Sequence, residues 1–222
     1  MGVKFPQKAA FWGRGVTMLP ARVSQKPAIL SSKKALVISA AATGELPKYY
    51  NSREMKLILC DGLRDKHYNA YFLCLFLWRT GCRISEALSV TVADLDLSNK
   101  VVRVHTLKRK GHVRFVPLQT EFIGEIAIWI NQHRLGRADK LFDIDRKTGY
   151  NWVSIACENA FPKDERNHPH TFRHSFAVNC LVHGVPITTV QNWLGHADLG
   201  KTLIYTQLVA SDTRVFMDGI RF

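Results

Sequence analysis

The distribution of apolar residues along the chain predicts a mainly helical protein. An early helix is indicated by apolar residues at helical spacing after Ser52, a residue type that favours helix starts. A second segment, Tyr68 to Arg79, is apolar on nearly every side and is expected to lie deep in the core. Gly81 is expected to end that helix, and another is predicted for residues 83–89.

Between residues 94 and 117 the pattern changes from helical to alternating. Alternating apolar residues in 94–97, 101–104 and 113–116 predict an antiparallel three-stranded sheet, with a basic hairpin tip at Lys110-Gly111. The fold class is therefore mainly α (α+β), with a compact helical domain and one small three-stranded antiparallel sheet.

The rest of the chain is predicted to be helical again. Apolar stripes indicate helices over 121–133 and 149–159, and further helices are expected to start at Thr171, Pro186 and Leu199. We expect one compact domain from residue 47 to residue 222.

Residues 1–46 are predicted to form a basic, irregular arm. This segment has no sustained period and carries seven Lys or Arg against the single acid Glu45. Such a bias is shared by organelle transit peptides and by DNA-binding arms, and the sequence does not separate the two.

The whole chain of 222 residues has a formal net charge of +13, which favours a polyanionic partner. Charge alone is compatible with nucleic acid, an acidic membrane surface or the ribosome. The odd number of cysteines, five, scattered mostly in apolar runs, is typical of reduced thiols in a cytoplasmic protein. The longest apolar run, Ala70 to Trp78, is far shorter than the ~20 residues of a membrane-spanning helix, so no span is expected.

Two short segments in the first half of the chain contain candidate functional residues. The first, residues 80–88, places Arg83 at a helix start with Glu86 one turn later, which on its own indicates only an ion pair within the helix. The second is the hairpin 106–114, whose Lys and Arg residues are, on their own, typical of a solvated turn.

Two further segments lie in the second half. In residues 168–175, His170 and Arg173 are three apart and so share a helix face. A metal site at these histidines is disfavoured, because no Cys or acid has a matching spacing and an Arg would repel a cation. The fourth segment is Leu194-Gly195-His196 followed nine residues later by Tyr205, which alone would be an ordinary tyrosine packed on a helix.

Taken together, the four segments resemble the tyrosine recombinase family, also called the phage integrases. The family's order of Arg, Lys, His-x-x-Arg, His and Tyr is complete, and the resemblance covers roughly residues 47 to 210. It places the family's catalytic roles on Arg83, Lys108, His170, Arg173, His196 and Tyr205, with Glu86 at the position of the structural acid.

The resemblance implies a site-specific DNA recombinase that cuts and rejoins strands through a 3′ phosphotyrosine intermediate, with no metal, ATP or other cofactor. Tyr205 would be the nucleophile. Arg83 and Arg173 would clamp the scissile phosphate, since a guanidinium is always charged and donates two parallel hydrogen bonds.

The proton transfers are assigned to the remaining residues. His170 would accept or orient the tyrosine proton, His196 would donate to a phosphate oxygen, and Lys108 would protonate the departing 5′ oxygen. Lys110 is the alternative to Lys108. We favour Lys108, because it directly follows the strand Val101 to Leu107 whereas Lys110 belongs to the turn.

The family also implies partners. Double-stranded DNA is expected, with a homo-oligomer that acts as a tetramer on two sites, an optional accessory DNA-bending or directionality protein, and a cytoplasmic, nucleoid-associated location. The tail, about 206–222, is expected to dock on a neighbouring subunit, although its apolar residues would equally complete their own core.

Two other functions stay open at this point. One is a DNA-binding regulator of the same fold that no longer cuts, and the other is a monomeric type IB topoisomerase-like enzyme. The enzymatic interpretation requires the Tyr205 hydroxyl to lie near two guanidinium and two imidazole groups that are distant along the chain. It fails if that hydroxyl lies in the interior, or on a face remote from those groups with no hinge able to bring it over.

Overall fold

The computed structural model describes residues 47–106, 112–196 and 200–209, with side chains omitted for 200, 201 and 207–209. The arm 1–46, the hairpin tip 107–111 and the tail beyond residue 209 lie outside the described residues.

The predicted mainly α fold with one small antiparallel sheet is confirmed. The helices are α1 (Ser52–Ile58), α2 (Asp61–Lys66), α3 (Tyr68–Thr80), α4 (Ile84–Ala87), α5 (Thr120–Gln132), α6 (Arg146–Glu158), α7 (Pro169–Val182), α8 (Ile187–Leu194) and α9 (Gly200–Val209). The strands are β1 (Leu95–Asp96), β2 (Val101–His105) and β3 (Val113–Pro117).

The residue that caps helix α1 lies one position before the predicted one. Asn51, not Ser52, is the capping residue: its side chain accepts hydrogen bonds from the amides of Arg53 and Glu54, and the Glu54 carboxylate accepts one from the Asn51 amide. Ser52 instead donates from its hydroxyl to the Asn179 side chain on α7. The prediction for Ser52 was therefore wrong by one position, because both neighbours are good capping residues.

Helix α3 forms the centre of the larger hydrophobic core, as its all-round apolar pattern predicted. It packs against α6 and α7, and Phe72 stacks on Trp129 of α5 with ring centroids 4.3 Å apart. Gly81 ends the helix with a φ of 63°. A Cβ atom there would lie 2.4 Å from Cδ1 of Phe176, so this turn needs glycine for both conformation and space.

The sheet has the order β1-β2-β3 with antiparallel pairing, and Val102 lies opposite Val116. Both valines are buried, while Phe115 is exposed. The first predicted strand is shorter than expected, because Val92–Asp94 forms a 3-10 turn.

Asp94 is buried within that turn, where its carboxylate accepts from Thr91 and Arg103 and is hydrogen-bonded to His105. Burial alone would raise its pKa, but these hydrogen bonds prevail and hold the pKa at about 2. The carboxylate thus ties the 3-10 turn to β2.

A smaller hydrophobic cluster lies between α7, α8 and α9 and contains Phe176, Val190, Leu194 and Tyr205. All five cysteines are free thiols, three of them buried, as their apolar surroundings predicted. No helix among the described residues is long and apolar enough to cross a membrane. Packing within the smaller cluster places Tyr205 beside α7.

Candidate active site

The carboxylate of Glu86 is the hub of the candidate site. It is only 1% exposed. Its Oε1 accepts from Nη1 of Arg83 at 2.9 Å, and its Oε2 accepts from the Arg83 amide at 2.9 Å and from Nη2 of Arg114 at 2.6 Å. Nη1 of Arg173 lies 3.9 Å from Oε2. The ion pair predicted between Arg83 and Glu86 is present, within a larger network of three guanidiniums around one acid.

Burial and charge act on Glu86 in opposite directions. Burial alone would raise its pKa, but the hydrogen bond and the charge of Arg114 outweigh burial and leave the pKa below its ordinary value. The Glu86 carboxylate is therefore ionised at neutral pH. One negative charge facing three positive ones leaves the site with a surplus of positive charge.

Arg173 is buried and fixed by two helix ends. Its Nη1 donates to the Gly81 carbonyl at 2.7 Å, and its Nη2 donates to the Leu194 carbonyl at 2.5 Å. Burial and the nearby charge of Arg83 lower the pKa of Arg173 to about 10, which still leaves it protonated at neutral pH. The structure thus brings Arg83 and Arg173 together, with the Arg83 side chain 26% exposed and the Arg173 side chain 4% exposed.

Arg114 is a functional candidate that the sequence interpretation missed. Besides its contact to Glu86, its Nε donates to the Trp193 carbonyl at 2.7 Å and its Nη1 to the Thr106 hydroxyl at 3.3 Å. In the sequence it is marked only as one of several basic residues of the hairpin. One signal was available in the sequence. Residues two apart on a strand point to the same face, so Arg114 is expected to point inward as Val116 does.

Tyr205 is buried, and its hydroxyl is hydrogen-bonded to Nδ1 of His174 at 2.7 Å. Burial raises the pKa of Tyr205, and the positive charges of Arg173 and Arg83 partly offset that rise. The hydroxyl therefore lies within the field of both arginines, as the enzymatic interpretation requires, but it lies in the interior, which that interpretation did not expect. Its imidazole partner is His174, to which the sequence interpretation assigned no role.

His174 belongs to the same segment as His170 and lies one helical turn beyond it. Burial and the neighbouring groups His170 and Arg173 lower the pKa of His174 to about 4, so its imidazole is neutral at neutral pH. The four-residue spacing between the two histidines was a signal that could have found it.

His170 lies on the first turn of α7 and is exposed. Partial desolvation, His168, Arg173 and Arg83 all lower its pKa. His170 and Arg173 share one helix, but Arg173 is buried while His170 faces outward. His170 thus lies at the edge of the site beside Arg83.

His196 follows α8 directly, after Gly195 ends the helix with a φ of 64°. Its Nδ1 is hydrogen-bonded to the hydroxyl of Thr202 at 2.9 Å, and its amide donates to the Gln191 carbonyl at 3.1 Å. His196 lines a cleft of about 520 Å³ between α8 and the β2–β3 pair, together with Arg114. Thr106 and His112, which flank the hairpin tip, also line this cleft.

Lys108 and its alternative Lys110 lie outside the described residues. Within the part of the chain that the structure describes, no group of three His, Cys, Asp or Glu is arranged to hold a metal ion. The candidate site therefore consists of an arginine cluster around Glu86, the hydrogen-bonded pair Tyr205 and His174, and His196, which lines a cleft together with Arg114.

Comparison with known proteins gives consistent results. Residues 53–211 match the model of the phage integrase family. The chain is 30% identical over 214 residues to a probable site-specific recombinase in the afa region of Escherichia coli, covering 87% of this chain and 85% of that protein. It is 36% identical over 157 residues to tyrosine recombinase XerA of Saccharolobus solfataricus, covering 70% of this chain and half of that protein (50%).

Solved structures show the same likeness. The crystal structure of XerA recombinase has a TM-score of 0.67 at 23% identity and is matched over 81% of this chain and 68% of that one. The XerH recombinase bound to a palindromic difH substrate, a post-cleavage complex, has a TM-score of 0.63 at 26% identity, over 78% of this chain and 53% of that one.

Proposed function

This chain belongs to the phage integrase family of site-specific recombinases, and we propose that it cuts and rejoins double-stranded DNA through a 3′ phosphotyrosine bond at Tyr205. The observation that carries the proposal is the position of the Tyr205 hydroxyl. It contacts the residue next to Arg173 and lies in the field of both Arg173 and Arg83. The proposal requires that a phosphate clamped by the two arginines come within reach of this hydroxyl.

The charge of the site suits a phosphodiester. Three guanidiniums and one carboxylate leave a net charge of about +2, from three positive charges minus one, in a mostly buried setting. Fixed positive charges in such a site stabilise the additional negative charge that develops on the non-bridging oxygens in the transition state. Arg83, the more exposed of the two clamp residues, would meet the phosphate first.

In the cleavage step a bond forms between phosphorus and Oη of Tyr205, and the bond from phosphorus to the 5′ oxygen breaks. The phenolic proton passes to an imidazole of the segment 168–175, and the 5′ oxygen takes up a proton from Lys108 or Lys110. His196 donates to a phosphate oxygen. His170, which the sequence assigned to accept or orient the phenolic proton, is exposed and lies at the edge of the clamp. Because the phosphotyrosine retains the energy of the broken bond, a 5′ hydroxyl can reverse the step without ATP.

Trapping the covalent intermediate tests this proposal and does not require a defined target site. Nicked duplexes with randomised sequence beside the nick are incubated with the protein, and strands that stay attached in SDS are recovered, sequenced and used to map the modified peptide. We expect an adduct on Tyr205 that is absent from Tyr205→Phe. An adduct on another residue, or none from any duplex, would contradict the proposal.

The proposal extends to assembly on DNA. We assign residues 47–222 to the catalytic domain, residues 1–46 to a basic arm that contacts DNA, and the tail 206–222 to docking between subunits of a tetramer on two sites. The XerH neighbour, which was solved on its difH substrate, supports a DNA partner. Deleting residues 1–46 is expected to weaken DNA binding and to reduce its salt dependence, since fewer counterions are then released.

A further inference from the structure

We propose that His174 is a further catalytic residue, which holds the hydroxyl of Tyr205 and accepts its proton as the tyrosine attacks phosphorus. This inference rests on the proposed function. In the step, the O–H bond of Tyr205 breaks and an N–H bond forms at Nδ1 of His174, while the bond from phosphorus to Oη forms and the bond to the 5′ oxygen breaks. The leaving oxygen takes its proton from the hairpin lysine, so the charges and atoms balance.

The geometry supports this assignment directly. The two atoms are 2.7 Å apart, within the distance over which a general base acts. Tyr205 is only 2% exposed, so its proton is expected to pass to a protein group rather than to bulk water. His174 follows Arg173 on α7, and the helix that fixes the phosphate clamp therefore also fixes the base.

The protonation state fits the same role. With the pKa of His174 at about 4, the imidazole is neutral at neutral pH, and with its proton on Nε2 it accepts from the hydroxyl at Nδ1. The groups that face this site are His168 just before α7, His170 and Arg173 on α7, Tyr205 on α9 and, at the start of α4, Arg83.

Substrate binding would strengthen the base. The pKa of His174 is low because of burial and the positive groups around it. A bound phosphodiester brings a negative charge to Arg173 and Arg83, which offsets that positive field and raises the basicity of His174. Proton acceptance is thereby coupled to occupancy of the clamp, and the buried tyrosine stays protonated until DNA is bound.

The test compares three variants on the DNA sequence that the wild type enriches in the trapping experiment. His174→Phe keeps an aromatic ring but removes the acceptor. His174→Asn places an amide near the position of Nδ1 and so retains a hydrogen bond without a base. His174→Ala leaves space for added imidazole. His183→Asn is the matched control, because His183 is exposed and bonds only locally to the Asn179 carbonyl among the described contacts.

The rate of adduct formation is measured in single turnover, and DNA affinity separately. We expect His174→Phe and His174→Asn to lose about 10²-fold or more in rate while DNA affinity stays within about twofold, and imidazole to restore much of the rate of His174→Ala. The control is expected to cleave like the wild type. A 5′ bridging sulfur, which leaves without protonation, is expected to rescue variants of the hairpin lysine but not those of His174.

Three results would overturn the assignment. The variants could cleave at the wild-type rate, or His174→Phe could cleave faster, which would mean that the histidine merely restrains the tyrosine. The third is a loss of rate in His174→Ala that added imidazole does not restore. The imidazole measurement also remains decisive if the phenylalanine variant does not fold. If the wild type itself forms no adduct that depends on Tyr205, the proposed function fails instead, so the two failures are distinguishable.

Discussion

Replacing Glu86 with glutamine tests whether the arginine cluster is held together by charge. Glutamine has nearly the same shape and keeps one acceptor oxygen, but it removes the single negative charge among Arg83, Arg114 and Arg173. At the 2.6 Å separation of Oε2 and Nη2 of Arg114, the attraction is about 6 kcal/mol for an effective dielectric constant of 20. Relief of the desolvation of the carboxylate offsets part of that loss.

The expected net cost of Glu86→Gln is about 3 to 5 kcal/mol in the free energy of unfolding, as for other buried pairs that lose one partner. For a chain of this size that corresponds to a Tm lowered by roughly 6 to 20 °C. The measurement is urea unfolding followed by circular dichroism, with thermal unfolding alongside. Glu165→Gln is the matched control, because the pair of Glu165 with Lys48 is largely exposed and is expected to contribute about 0.5 kcal/mol or less.

The effect also has a predicted pH dependence. Because the pKa of Glu86 is depressed in the folded protein, its contribution is complete above its unfolded pKa and is lost as the pH falls through the folded pKa. The difference between wild type and Glu86→Gln should therefore be constant near neutrality and shrink in acid. A Glu86→Gln variant within about 1 kcal/mol of the wild type at pH 7 would refute the charge argument.

Three further outcomes are expected. Gly81→Ala should destabilise the protein by about 2 kcal/mol or more in urea unfolding, because the new Cβ would strike Phe176 and the residue has a positive φ. Arg173→Lys should fold less stably and lose adduct formation by about 10²-fold, because an ammonium cannot replace the two-pronged contacts to the Gly81 and Leu194 carbonyls. Asp94→Asn should cost about 1 to 2 kcal/mol at pH 7, and this difference should vanish as the pH falls from about 4 towards 2, where Asp94 of the wild type becomes protonated.

The helices and the sheet could be predicted because their signals are local. The apolar pattern of α3 and the glycine that ends it are read from consecutive residues, and so is the alternation of β2 and β3. Local signals fail where two neighbours are equally suitable, as with Asn51 and Ser52 before α1. They also fail for Asp94, which lies in the 3-10 turn while its partners Arg103 and His105 are on strand β2.

The residues of the candidate site likewise divide into those that have a local signal in the sequence and those whose contacts are long-range. The order of the motifs was sufficient to select Arg83, Arg173 and Tyr205, which the structure brings into one electrostatic environment. Arg114 and His174 were missed because their contacts join elements that are far apart in sequence. Arg114 meets Trp193 across 79 residues, and His174 meets Tyr205 across 31. Spacing along a helix or a strand indicates the face on which such a residue lies, but not the distant residue that it contacts.

Two of the four motifs contain a glycine that ends a helix, and the contacts of Arg173 give a reason for both glycines. Gly81 ends α3 and Gly195 ends α8, each with a left-handed conformation. The carbonyls of Gly81 and Leu194 at these two ends both accept from Arg173. Helix carboxyl ends carry partial negative charge, so two of them converging on one guanidinium help to hold a cation in a buried position. The left-handed ends thus position two carbonyls for Arg173 as well as ending the helices, and a Cβ atom at Gly195 would lie 3.1 Å from Cδ of Arg114.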